Sequence, residues 1–72
     1  MLDNSYANKL VEVSERIKEL RDIYNLSDVE MAEKTGVSIE EYLAYEKGME
    51  DMPFSFVHKC ALAFGVEITD LL

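Results

Sequence analysis

Two short stretches constrain this chain more than anything else in it. Ser27-Asp28-Val29-Glu30 and Ser38-Ile39-Glu40-Glu41 each place a Ser three residues ahead of a Glu. In that spacing the Ser oxygen can accept from the backbone N–H three residues on, while the Glu side chain reaches back to the Ser N–H. Each stretch therefore predicts a helix start. They lie eleven residues apart, and Gly36 between them supplies the backbone freedom for a tight turn. The pattern implies two short helices meeting at a sharp angle.

The flanking sequence completes an all-helical reading. Tyr6, Leu10, Val13, Ile17, Leu20 and Tyr24 follow a 4, 3, 4, 3, 4 spacing, which lines one face of a long helix over about 5–24. Asn25, a residue that tolerates a left-handed backbone, can end it. After the paired helices (about 27–47), Gly48 stops the third helix and 49–53 reads as a loop. Ser55 is placed to cap a fourth helix over about 55–64, with Phe56, Val57, Cys60, Ala61 and Phe64 available to the core. Gly65 ends it, and a fifth short helix is expected over about 67–72. No strand pattern or repeat is present. Seventy-two residues allow one domain with one small core, so 1–72 reads as a single compact five-helix bundle.

Several function classes fall away early. No apolar run approaches the ~20 residues needed to span a bilayer, so no membrane partner is expected. The opening Met1-Leu2-Asp3-Asn4 lacks the basic and then apolar build of a signal peptide. One cysteine makes no internal disulfide, which fits a reducing cytoplasm. His58 and Cys60 stand alone in their types and lie two apart on a helix, so they face different ways and make no nucleophile–base pair. One His and one Cys fall short of a zinc ligand set. No catalytic residue, metal site or cofactor is expected.

At this level the residues resemble the lambda-repressor/Cro-type helix-turn-helix family, also called XRE. The resemblance runs from Ile17 to Leu72. It is carried by Ile17-Lys18-Glu19-Leu20-Arg21, Leu26-Ser27, Met31-Ala32-Glu33-Lys34-Thr35-Gly36-Val37-Ser38, Tyr45-Glu46-Lys47-Gly48, Pro53, Ala63-Phe64-Gly65-Val66 and Leu71-Leu72. It implies a DNA-binding domain of a bacterial transcriptional regulator, with the third helix in the major groove and the second across the backbone. By position, Ser27 and Asp28 would face DNA from helix two. Ser38, Ile39, Glu40, Leu43 and Ala44 would face it from helix three, with Lys47 near phosphate. Arg21 and Glu46 hold positions that the resemblance pairs as a structural ion pair. Tyr42 and Tyr45 would face the core. Pro53 follows Gly48 by five residues, where the family more often has four.

The charge runs against that implication. Seven basic residues face fifteen acidic ones, a net of −8. From Ser27 to Glu46 there are six acids (Asp28, Glu30, Glu33, Glu40, Glu41, Glu46) and one base (Lys34), a net of −5. Phosphate neutralisation carries most ordinary DNA affinity, and the basic residues available for it are Lys34, Lys47 and either Lys9 or Lys59. A carboxylate at Asp28 would repel phosphate. Glu40 could accept only from a donor such as cytosine N4, and Ile39 could touch a thymine methyl. Binding to double-stranded DNA is therefore expected to be weak or to depend on a dimer.

The ending Ile68-Thr69-Asp70-Leu71-Leu72 carries no helix stop, which suggests the first domain of a longer protein with a C-terminal sensory domain. A homodimer would supply two half-sites. A second reading stays open: an interaction module that kept the fold, with Ile39, Leu43, Met49 and Met52 forming an apolar contact patch.

Overall fold

In the computed structural model, residues 5–72 are described, with side chains from residue 9 onward. The order of elements is α1 (Ser5–Ile23), α2 (Asp28–Thr35), α3 (Ile39–Glu46), α4 (Phe54–Phe64) and a 3₁₀ turn (Ile68–Asp70). The fold is all-α.

Val13 and Ile17 on α1 are buried, and Leu20 packs against them from the edge. Tyr24 reaches only the rim, where its ring stacks on Phe64 at 5.8 Å. Tyr6 lies outside the residues whose side chains are described. Asn25 adopts φ 57° and ends α1, and Leu26 N–H donates back to Arg21 O at 3.0 Å. Gly36 performs the same service after α2. Its φ of 74° lets its own N–H and that of Val37 both reach Ala32 O. A side chain there would strain the backbone without meeting any neighbour.

Met31 and Ala32 on α2 are buried where that helix packs against α3 and α4. The core centre is aromatic. Tyr42 and Tyr45 flank Phe56, with Tyr45 at 4.5 Å between ring centroids in a tilted arrangement.

Two expectations are corrected here. Helix α4 begins at Phe54, with Pro53 as its cap residue and no side-chain capping bond. Ser55 is an exposed residue inside the helix. The ring holds Pro53 at φ −68°, suited to a helix start, and Pro53 O accepts from Phe56 and Val57 N–H at 3.0 and 3.3 Å. The fifth helix is a single 3₁₀ turn. Asp70 N–H bonds Glu67 O and Leu71 N–H bonds Ile68 O, both at 2.9 Å. Three residues per turn stack Ile68 over Leu71, and this inserts Leu71 into the core with Ile68 beside it. Among the described residues, four α-helices therefore build the bundle. The C-terminal segment is tied to α1 by Arg16 Nη1, which donates to Asp70 O at 3.1 Å, and by Lys9 Nζ, which donates to Leu72 O.

Candidate nucleic-acid interface

The starts of α2 and α3 are built by their serines. Ser27 Oγ accepts from Glu30 N–H at 3.0 Å, and Ser27 N–H donates to Glu30 Oε1 at 2.9 Å. The bond from the Ser27 backbone, then that from its hydroxyl, hold the Glu30 carboxyl below its ordinary range. Asp28, half-buried, turns Oδ1 onto Val29 N–H at 2.8 Å. At α3, Ser38 Oγ accepts from Glu41 N–H at 3.1 Å. The return bond of a full capping box is not made there. Glu41 Oε2 instead accepts from the Tyr45 hydroxyl one turn on, at 3.4 Å.

The outward stripe of α3 follows from the inward one. Tyr42 and Tyr45 point into the core, and Glu46 turns toward α1. Opposite them at helical spacing stand Glu40, Leu43, Ala44 and Lys47. Glu40 and Lys47 are exposed; Leu43 and Ala44 between them are half-buried. Ile39 lies at the edge and packs partly against the core. Ser27 and Lys34 are exposed on α2 and its approach.

The helix is held at this angle by a polar cluster behind it. Arg21 Nε and Nη2 donate to Glu46 Oε2 and Oε1 at 2.8 and 3.2 Å. Arg21 Nη1 donates to Leu26 O at 3.1 Å, and the Tyr42 hydroxyl donates to Glu46 Oε2 at 2.5 Å. Glu46 keeps only 7% of its side-chain exposure and Arg21 17%. The Glu46 bond raises the Arg21 pKa against a smaller desolvation effect, while burial followed by the Glu46 contact pushes the Tyr42 hydroxyl well up. One guanidinium thus joins α1, the α1–α2 turn and α3. Sequence reasoning placed Arg21 opposite Glu46, but it missed Leu26 O and the Tyr42 hydroxyl. The four-residue spacing from Tyr42 to Glu46 was the available signal.

The cations divide into two groups. Arg16 pairs with Glu19, Lys18 with Asp22, Arg21 with Glu46, and Lys9 meets the Leu72 carbonyl. Among the described residues, Lys34, Lys47 and Lys59 make no ion pair and are exposed. Of the four residues of the apolar patch expected for an interaction module, Met52 is buried in the core, Ile39 packs partly against it, Leu43 is half-buried and Met49 is 74% exposed. Met52, in the loop after Gly48, is buried in the core, where its thioether fills volume. His58 is exposed and Cys60 fully buried, and burial pushes the Cys60 thiol up to about 12.

A family model described as a helix-turn-helix domain matches residues 14–72. The chain belongs to the helix-turn-helix family. The domain is 38% identical over 56 residues to an uncharacterized HTH-type transcriptional regulator of Methanocaldococcus jannaschii, which covers 78% of this chain and 85% of that protein. It is 39% identical over 59 residues to the cryptic phage CTXphi transcriptional repressor RstR of Vibrio cholerae, covering 82% of this chain and 53% of the repressor. A third relative, an uncharacterized HTH-type transcriptional regulator of Archaeoglobus fulgidus, is 34% identical over 56 residues, covering 78% of this chain and 79% of that protein. No solved structure matches the chain significantly. No helix among the described residues is long and apolar enough to cross a membrane.

Proposed function

We infer that this helix-turn-helix domain is the DNA-binding part of a transcriptional regulator, with α3 entering the major groove and α2 lying across the backbone. The observation that carries this reading is the rigid presentation of α3. Its inner face is locked by Tyr42, Tyr45 and the Arg21–Glu46 cluster, and its outer stripe presents exposed Glu40 and Lys47 on either side of half-buried Leu43 and Ala44. Relatives named as transcriptional regulators and as a repressor support it.

Contact with DNA divides by chemistry. Lys34 and Lys47 supply phosphate contacts. Ser27 and Ser38 accept a backbone N–H at their helix starts and keep a hydroxyl proton to donate to a phosphate oxygen. Leu43 and Ala44 offer apolar contact to thymine methyls. Two copies on two half-sites, about one helical turn apart, compensate for the sparse cations of one copy. A further domain that joins the copies and senses a ligand fits this reading.

The test is fluorescence anisotropy on mixed duplex DNA as salt is raised. With two or three lysines per copy near phosphate, the slope of log affinity against log salt is expected at about −1.8 to −2.7 per copy. Absence of any salt-dependent binding at tens of micromolar would remove the reading.

A further inference from the structure

We propose that Glu40 is the specificity-determining residue of α3, selecting cytosine and excluding guanine at one position of the half-site. The proposal rests on the DNA-binding reading and adds to it the base that is read.

Glu40 is singled out by what the neighbouring polar groups already do. A recognition helix touches base edges with its N-terminal residues. The polar side chains at the start of α3 are Ser38, Glu40 and Glu41. Ser38 Oγ accepts from Glu41 N–H and keeps its O–H to donate, and Glu41 is drawn by Oε2 toward the Tyr45 hydroxyl, away from the outward stripe. Across the turn, Ser27 and Glu30 satisfy each other, and Asp28 Oδ1 is turned back onto Val29 N–H. Of these polar side chains, Glu40 is the one that lies exposed on the outward stripe and makes no hydrogen bond among the described residues. The next two residues of the stripe, Leu43 and Ala44, carry no hydrogen-bonding side chain.

A carboxylate only accepts. In the major groove, cytosine offers the N4 amino group as a donor, whereas guanine offers only the N7 and O6 acceptors. Glu40 opposite cytosine gains a hydrogen bond. Opposite guanine it sets acceptors against acceptors in a partly dehydrated groove. Thymine likewise offers only an acceptor there. Adenine offers one donor beside one acceptor, so it ranks between cytosine and guanine.

The experiment is selection of the intact chain on a library of randomised duplexes at low salt, in parallel with Glu40→Gln. Glutamine keeps the size, removes the charge and adds a donor, which suits the N6/N7 edge of adenine. Because Glu40 makes no hydrogen bond among the described residues, the variant is expected to keep the parent's circular dichroism, with a melting point lowered by at most about 8 °C through loss of its charge at the start of α3. The wild-type chain should enrich cytosine at one position, and replacing it by guanine should weaken binding about tenfold. E40Q should move that single position to adenine, leave the others as they were and bind all duplexes somewhat more tightly. An E40Q motif identical at every position, with a uniform gain in affinity, would show that Glu40 only repels phosphate and would overturn the assignment. Failure of the wild-type chain to enrich any duplex would overturn the DNA-binding reading as well, and so differs from an unchanged motif.

Discussion

Replacing Glu46 by alanine tests the claim that one ion pair sets the angle of α3. The carboxylate receives two bonds from Arg21 and one from the Tyr42 hydroxyl. Removing it strands a guanidinium of which 17% of the side-chain surface reaches solvent, together with a buried hydroxyl. Breaking a buried pair from one side costs roughly 3–5 kcal/mol. The low end applies, because water can reach part of Arg21 and because Nη1 keeps its bond to Leu26 O. The stranded hydroxyl adds about 1 kcal/mol. The sum of about 4 kcal/mol compares with a total of roughly 4–11 kcal/mol for a domain of this length. E46A should therefore melt on the order of 20 °C lower or fail to hold its fold. The double variant R21M/E46L removes both charges and leaves no cation unpaired, so it should be more stable than E46A by about 2 kcal/mol. Urea unfolding followed by circular dichroism gives both values. If E46A lies within about 1 kcal/mol of the parent, the pair behaves as an ordinary surface bridge. The Arg21–Glu46 cluster would then not be what positions α3.

Other consequences follow from the same structure. The Cys60 thiol, pushed up to about 12 by burial, should resist a thiol reagent at pH 8 until the domain is unfolded. The unfolded thiol ionises near ~8.5 and the folded one does not. That stability is therefore complete below pH ~8.5 and drains as pH rises toward 12, by up to about 1.4 kcal/mol per unit, and melting points across that range report it. Ser27→Ala should cost about 1 kcal/mol through loss of the α2 cap, seen as a melting point lower by roughly 4–8 °C. The Glu30 carboxyl, held below its usual range by Ser27, contributes at neutral pH, and its contribution should fade as pH drops through the acid range. Melting curves of Glu30→Gln and the parent should converge there, whereas the S27A deficit should persist because its lost bond does not titrate. Finally, D28N/E41Q keeps the acceptors used by Val29 and Tyr45 while removing two charges. It should tighten binding to unrelated duplexes more than binding to a selected one, as competition anisotropy would measure.

Much of the fold was legible because it rests on local chemistry. Ser27 with Glu30, Gly36 and the α1 stripe each act within a few residues, where spacing and geometry are nearly the same thing. The misreadings arose where a distant contact decided the outcome. Ser55 looks like a cap until Pro53 supplies the helix start. Glu41 looks like the return arm of a capping box until the Tyr45 hydroxyl competes for it. The ending looks like an α-helix until the demand to bury Leu71 beside Ile68 tightens it into a 3₁₀ turn. The interface shows the same division. The positions facing outward on α3 follow from helical phase, but which of their polar groups are already occupied depends on neighbours that spacing does not reveal.

The acidity of the domain has a structural origin in those same first turns. Asp28 and Glu30 open α2, and Glu40 and Glu41 open α3. Carboxylates there favour the positive end of each helix by about 0.3–1 kcal/mol apiece, and in a bundle of four helices such gains matter. In a helix-turn-helix these are also the turns nearest phosphate, so local stability is obtained at the expense of general attraction to nucleic acid. The loss falls mainly on the sequence-independent part of binding, since phosphate contacts position the protein and base contacts specify the site. A regulator must find its operator among roughly 10⁶–10⁹ competing sites, so the ratio of specific to non-specific affinity matters more than either alone. An acidic reading head lowers the denominator of that ratio. The negative charge of α2 and α3 is therefore compatible with sequence-specific binding, provided that Glu40 and Leu43 supply base contacts and that a second copy or domain restores the affinity that one domain lacks.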